Sequence, residues 1–312
     1  MHIGEVEVVK VAEWQGEIAP VRSILPGSPP RLWTDNAAWL VPDHWDPETG
    51  GYRGAIQTWI LRSEGRVILV DTGVGNDRNR PQIPLFDHLA TPFLDRLAAA
   101  GVRPEDVDVV VNTHIHYDHV GWNTELRNGE WVPTFPHATY LIPRVDQVYF
   151  DPRNAHRRPA PRTEHEQLRR EGSLLVYADS VAPVLGRAVL WEGSHRIDRN
   201  LTLEPAPGHT PGSSVLRVSS GADSAVFVGD LLHSPVQILA PEHSSCFCED
   251  PRQATTTRLG VLERAADNGE LVVPAHFGGP GAAEVRRDGS RFAVSMASSS
   301  VTGQPPTRSC RR

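Results

Sequence analysis

The sequence predicts an α/β fold, and three observations carry that expectation. Strand-like apolar runs alternate with segments of helical spacing. The strand-rich and then helical order of the first half returns in the second half. Several apolar runs also end in an aspartate or a histidine, and the carboxyl ends of strands are where α/β proteins gather their ligands.

Taken in order, residues 3–13 alternate apolar and charged side chains as a half-buried strand does. Residues 19–54 are rich in Pro and Gly yet contain Trp33, Trp39 and Trp45, too much apolar surface to leave in water, so an ordered loop is expected. Strands follow at 55–61 and 66–71, the second ending in Asp71-Thr72-Gly73. Between Leu85 and Ala100 the apolar residues fall on one helical face, with Gly101 as a stop, Pro92 splitting the helix and Thr91 capping its second piece. Strands at 107–112 and 138–142 lead into residues 143–186, read as a helical insertion over the sheet, with helices at 144–150 and 164–170. Strand signals resume at 187–191, 201–204, 214–218 and 224–228, before a helix at 251–268 and a strand at 271–274. From residue 297 to 312 the chain is rich in Ser, Thr, Pro and Arg without apolar period, which predicts a disordered tail after a domain spanning 1–296.

Chemistry concentrates in residues 109–123, VVVNTHIHYDHVGWN. Val107 to Val111 is a mostly apolar run, and the loop after it places His114, His116, Asp118 and His119 within six positions. Alternate residues of an extended segment point the same way, so His114 and His116 can aim at one ion. Asp118 and His119, past the bend, can aim at a second. His209 lies in PGHTPG after a strand, Asp230 follows Val226–Gly229, and His276 follows LVVPA. Each of the three repeats one design, an apolar strand with a ligand-type side chain at its exit.

Composition excludes several classes. A net charge of -7 gives no overall attraction to nucleic acid or anionic membrane. Local clusters such as Arg157, Arg158 and Arg162 read as solvated faces. Cys246, Cys248 and Cys310 are too few and too badly placed for a disulfide framework; Cys246 and Cys248 are expected to pack as small apolar side chains. No stretch approaches the length of a membrane span, and a cytoplasmic location is expected. Nucleophile and phosphate-loop motifs are absent: there is no GxSxG, and the sole lysine is Lys10. His165-Glu166 does not continue to a second histidine at the spacing of a helical zinc protease.

Asp71, the HIHYDH string at 114–119, His209, Asp230 and His276 together resemble the pattern of the metallo-β-lactamase-fold hydrolases. VGWN, PGHTPGSS and VGDLLHSP look most like lactonase-type members and related hydrolases. The resemblance implies a single-domain four-layer αββα sandwich with the site at one edge. It further implies that His114, His116 and His209 hold one ion, that Asp118, His119 and His276 hold the other, and that Asp230 bridges them. Asp71 would orient the ligand loop. Acyl-homoserine lactonases of this pattern carry a tyrosine where this chain has His233, a departure that puts that exact substrate in doubt.

Imidazole and carboxylate donors without thiolate suit two divalent ions, Zn²⁺ first, or Fe²⁺ or Mn²⁺ if the cell supplies them. Two ions about 3.5 to 4 Å apart bring a shared water to a pKa of about 7, so a bridging hydroxide can attack a lactone or other carboxylic ester. Phosphoesters and phosphotriesters are the alternative, with thioesters, iron-dependent redox chemistry and nuclease activity behind them. Asp118 and His233 are the candidate catalytic side chains, His233 as a hydrogen-bond donor to substrate or a proton source for the leaving group. Trp122 is expected to line an acyl pocket. The expected partners are a small-molecule substrate and a second copy in a homodimer, with no nucleic acid and no membrane.

Overall fold

Two β-sheets face one another with helices on both outer surfaces. The structure is a computed structural model and describes residues 1–297. The first sheet runs in the order His2–Ile3, Val6–Pro20, Gly51–Ser63, Arg66–Val70, Val109–Val111, Thr139–Pro143 and Ala188–Trp191, with Trp45–Asp46 beside Gly51–Ser63. Its early pairings are antiparallel, whereas Arg66–Val70, Val109–Val111, Thr139–Pro143 and Ala188–Trp191 are mutually parallel. The second sheet contains His195–Arg196, Leu201–Pro205, Ser214–Ser220, Asp223–Gly229, Leu271–Pro274, Ala283–Asp288 and Arg291–Met296 in that order. Its one parallel pair is Asp223–Gly229 with Leu271–Pro274.

Side-chain alternation explains the layers. In the Val67–Val70 run, Ile68 and Val70 join Val109, Val111 and Leu141 in the core between the sheets, against Leu203, Leu216, Phe227 and Val273 of the other sheet. Leu69, Val110, Tyr140 and Ile142 point the other way, onto Phe93, Leu97 and Val176 of the outer helical layer. The second sheet does the same with Val215, Val226 and Val272, which meet Val261, Leu262 and Ala265 of helix Pro251–Asn268. Strands buried on both faces read as continuous apolar runs rather than strict alternation, as VILV and VVV do here.

Helix Pro251–Asn268 matches its predicted bounds because both its ends are written locally. The Asp250 carboxylate accepts from the backbone N–H of Arg252 and Gln253, Pro251 takes the first helical position, and Gly269 ends the helix at φ 65°. The expected strand at 271–274 and the helix at 144–150 are also found.

Several expectations are corrected. Residues 19–54 are not a loop throughout: Val6–Pro20 and Gly51–Ser63 extend into the stretch as a long antiparallel pair, and three short helices lie between them. Trp33 and Trp45 close a separate apolar cluster there. Thr91 does not cap the helix, which starts at Phe93 after Pro92; the Thr91 N–H instead reaches Asn76 Oδ1 (2.8 Å). The first predicted piece is only a short turn at Pro84–Phe86. Two hairpins went unpredicted, at Thr124–Pro133 and Ala283–Met296, because charged residues on their exposed faces mask the alternation. The expectation of a disordered tail lies, beyond Ala297, outside the described residues, as does Cys310.

Phe227 is buried between the sheets with its ring 5.8 Å from that of Trp59. Phe227→Ala is expected to lower the unfolding free energy by about 3 to 5 kcal/mol, measured by urea denaturation; a change below about 1 kcal/mol would show that the inter-sheet core is not as described.

Candidate metal centre

The exits of parallel strands from both sheets meet at one edge of the sandwich. Arg66–Val70 delivers Asp71, Val109–Val111 delivers the loop of His114 to His119, Asp223–Gly229 delivers Asp230, and Leu271–Pro274 delivers His276. His209 arrives on the turn between two antiparallel strands, where Gly208 has φ +133° and packs so closely on the backbone of Ala254 that a Cβ has no room. A main-chain bond from Ala55 N–H to the His276 carbonyl (3.1 Å) links the two sheets beside the site.

Side-chain donors form two groups on either side of the Asp230 carboxylate, with Asp230, His233 and His276 as a third, overlapping set. His114, His116, His209 and Asp230 each place a donor atom within 4.8 Å of the others, and so do Asp118, His119 and His276. Asp230 Oδ2 lies 3.1 Å from His209 Nε2 and 3.8 Å from His114 Nε2, on the side of the first group. Its Oδ1 lies 3.0 Å from His119 Nε2 and 2.8 Å from His276 Nε2, on the side of the second. His116 Nδ1 sits 3.1 Å from His114 Nε2 and 2.9 Å from His209 Nε2.

Four of the imidazoles are held from behind, so one nitrogen of each is left for the cluster. His119 Nδ1 meets Asp71 Oδ2 at 2.8 Å, His276 Nδ1 meets the Ala55 carbonyl at 2.9 Å, and His114 Nδ1 meets Thr113 Oγ1 at 3.1 Å. Cys248 Sγ lies 3.8 Å from His209 Nδ1, a weaker version of the same support. Asp71 itself is left-handed at φ 57°, a conformation a carboxylate residue adopts at some cost. It is kept there by the Thr113 N–H and hydroxyl, both donating to it at 2.8 Å.

Electrostatics favour the ligand forms of His114, His116, His209 and Asp230, and oppose those of His119 and Asp118. Burial pushes the pKa of His114 and His116 well below the ordinary imidazole value, and that of His209 down to about 4, so their rings are neutral donors. Burial alone would raise Asp230, but His119, His276, His233 and His209 outweigh it and hold the carboxyl well below its usual range. Burial also opposes charge on His119, yet Asp230, Asp71 and Asp118 together push its pKa well above normal. For Asp118, burial dominates and the pKa rises despite His119 and His276.

These residues fit divalent cations. His119 Nε2, Asp230 Oδ1 and both ring nitrogens of His233 are buried without a hydrogen-bond partner among the described residues. Buried polar atoms are ordinarily satisfied, and a divalent cation among these donors would satisfy them. His233 Nε2 is 3.3 Å from Asp230 Oδ2, and its ring lines the cavity over the cluster. Cys246 and Cys248 also line that cavity, Cys248 with its Sγ against His209.

Trp122 is a correction. It does not line the cavity; it is buried against Phe93 (5.3 Å between ring centroids), and its indole N–H donates to Glu13 Oε1 at 2.6 Å. A bulky ring on a turn immediately behind the ligand loop is drawn into the core.

Three carboxylates under the site were not singled out from sequence, or, for Asp71, were placed only through the family pattern. Glu13 also accepts from the backbone N–H of Val74 (2.6 Å) and Gly75 (3.1 Å), bracing the turn after Asp71; burial pushes its pKa up to about 7 against these donors. Asp146, wholly buried, accepts from Ile115 N–H (2.9 Å), Thr210 Oγ1 (2.8 Å) and Gly212 N–H (2.6 Å). It therefore ties the loop of His114 and His116 to the loop of His209. Its only sequence signal is a carboxylate in the first turn of a helix, a common feature with no pointer to the partner loops.

A buried imidazole and carboxylate donor set at the edge of a two-sheet sandwich defines a metal-dependent hydrolase. No helix among the described residues is long and apolar enough to cross a membrane. The chain belongs to the Metallo-beta-lactamase superfamily, whose family model matches residues 51–276. It is 25% identical over 242 residues to the probable metallo-hydrolase Rv2300c of Mycobacterium tuberculosis, covering 70% of this chain and 73% of that protein. It is 24% identical over 253 residues to the hydroxyacylglutathione hydrolase of Aeromonas hydrophila, covering 70% of this chain and 76% of that one. Among solved structures, AidC, a dizinc quorum-quenching lactonase in complex with a product, superposes with a TM-score of 0.76 at 21% identity, over 96% of both chains.

Asp146→Ala is expected to weaken metal retention by roughly 10- to 100-fold, read by competition with a fluorescent chelator. Unchanged retention would mean that the two loops hold their ligands without it.

Proposed function

We propose that this protein is a dinuclear metal hydrolase that cleaves a lactone or other carboxylic ester, with Zn²⁺ as the preferred ion and Fe²⁺ or Mn²⁺ as alternatives. The observation that carries this reading is Asp230, whose two oxygens face two separate donor groups. In it, His114, His116 and His209 hold one ion, Asp118, His119 and His276 hold the other, and Asp230 spans both. When bound, such a pair of ions supplies hydroxide at neutral pH and polarises an acyl oxygen.

The side chains supply the rest. Asp118 lines the cavity beside Asp230, where its carboxylate is placed to carry a proton from the nucleophile to the leaving oxygen. Burial lowers the pKa of His233, so its neutral ring can donate one hydrogen bond to the substrate's acyl oxygen. The Tyr52 hydroxyl fixes this segment by donating to the His233 carbonyl at 2.7 Å. The apolar part of the cavity, including Ile18, Ile83 and Phe247, keeps water from the acyl chain. A thioester is the second reading, favoured by the likeness to a hydroxyacylglutathione hydrolase, since both reactions proceed at an acyl carbon.

Metal analysis combined with a panel of lactones, aryl esters, thioesters, phosphotriesters and β-lactams tests the proposal. Chelator treatment is expected to abolish turnover of the best substrate and added Zn²⁺ to return it; a metal-free sample at full rate would overturn the mechanism. His233→Ala is expected to cut kcat/KM roughly tenfold or more, with metal content measured on the same sample to tell loss of an ion from loss of the hydrogen bond, and unchanged kinetics would remove His233 from the chemistry.

A further inference from the structure

The cavity over the cluster encloses about 470 Å³, within the range of small-molecule sites. Its floor carries Asp118 and Asp230, and four arginines from residues 158–170 line its wall against only two wall carboxylates, Glu166 and Glu249. Two of the four guanidiniums are well sheltered. Arg158 is 11% exposed and lies over the rings of Tyr149 (4.5 Å) and Phe150 (5.2 Å); Arg169 is 27% exposed. The sequence reading of Arg158 as part of a solvated face is therefore corrected: the ring stacking turns its charge into the cavity.

These two guanidiniums have N–H groups to spare. Arg158 hydrogen-bonds Ser173 Oγ (3.0 Å), and Arg169 donates to the carbonyls of Cys246 and Phe247 at 3.2 Å each. Their common counterion is Glu249, but its Oε1 stands 3.9 Å from Arg158 Nη2 and 3.7 Å from Arg169 Nη2, beyond hydrogen-bond length. Glu249 Oε2 is occupied by the Tyr149 hydroxyl at 2.8 Å. One carboxylate thus faces two cations without a hydrogen bond to either. The pair also stands at a set remove from the reacting centre: the Phe150 ring, 5.8 Å from that of His116, separates it from Arg158, and Phe247, stacked at 5.8 Å on His233, separates it from Arg169.

We propose that this site selects substrates bearing an anionic oxygen group, carboxylate or phosphate, several atoms away from the scissile acyl carbon, recognised by Arg158 and Arg169. A planar guanidinium offers paired N–H groups to such an oxyanion, and a partly enclosed wall screens the attraction less than open surface does. This deepens the ester reading and rests on it for the reaction, though not for the recognition.

The test compares phenyl hydrogen adipate with its neutral counterpart phenyl methyl adipate, and with the phenyl ester of 5-phosphonooxypentanoate, to separate carboxylate from phosphate. The better anionic ester is expected to exceed the neutral one in kcat/KM by tenfold or more through KM, with the ratio shrinking as salt rises. Arg158→Gln and Arg169→Gln should each cut that ratio about tenfold, and Glu249→Gln, which removes the competing carboxylate, should raise it. A ratio near one, or a ratio that neither arginine variant moves, overturns the proposal. Calorimetric binding of adipate against monomethyl adipate to the zinc-loaded protein reads the same preference without turnover, and equal affinities would also overturn it. If adipate is preferred yet neither ester is cleaved, the ester reading falls and the anion recognition stands.

Discussion

Everything at this edge of the sandwich depends on the convergence of five imidazoles on the single carboxylate of Asp230. His114, His119, His209, His233 and His276 all bring a ring nitrogen within 2.8 to 3.8 Å of it, and nearly every group involved is buried. Removing polar groups from water without partners is costly. Such a cluster persists only if the surrounding structure cannot relax and if a ligand with positive charge meets the free nitrogens. The sandwich supplies the first condition, and the donor chemistry calls for the second.

Rigidity comes from a layer of carboxylates beneath the ligand loops. Irregular backbone that is buried needs hydrogen-bond acceptors from elsewhere, and Asp71, Glu13 and Asp146 provide them: Asp71 to Thr113, Glu13 to Val74 and Gly75, Asp146 to Ile115 and Gly212. Each one joins segments remote in sequence. Asp146 is the clearest case, because its two oxygens join loops separated by nearly a hundred residues and so set the spacing between His116 and His209. A second buried system, Arg80 paired bidentately with Asp179 (2.7 and 2.8 Å), anchors the segment after Gly75 to the helical layer.

Above this frame the chain is less regular, and that is where the proposed selectivity would reside. Residues 144–176 provide Tyr149, Phe150 and Val176 as apolar surface and the arginine wall as charge. The N-terminal helices contribute through another cluster, in which Trp33 and Trp45 pack with Tyr52 and Val236 below the segment that bears His233. Chemistry on the sheet edge and recognition on the insertion are thus separate parts of one cavity.

The candidate donor set was legible because strand exits put chemistry at fixed short intervals: HIHYDH within one loop, and Asp230 and His276 each directly after an apolar run. The central strands and helix Pro251–Asn268 were legible for the same local reason, since periodicity, caps and glycine stops act over a few residues. Trp122 was misplaced, and Glu13, Asp146 and the inward turn of Arg158 were invisible, because each is defined by a partner tens of residues away or more. Sequence by itself determined which side chains could bind a cation and where the central strands of the sheets would lie. Only the tertiary structure decided that Asp230 would stand between two donor groups, which loops would be braced, and which arginines would face the cavity, because those depend on long-range packing and on which polar groups are shut off from water.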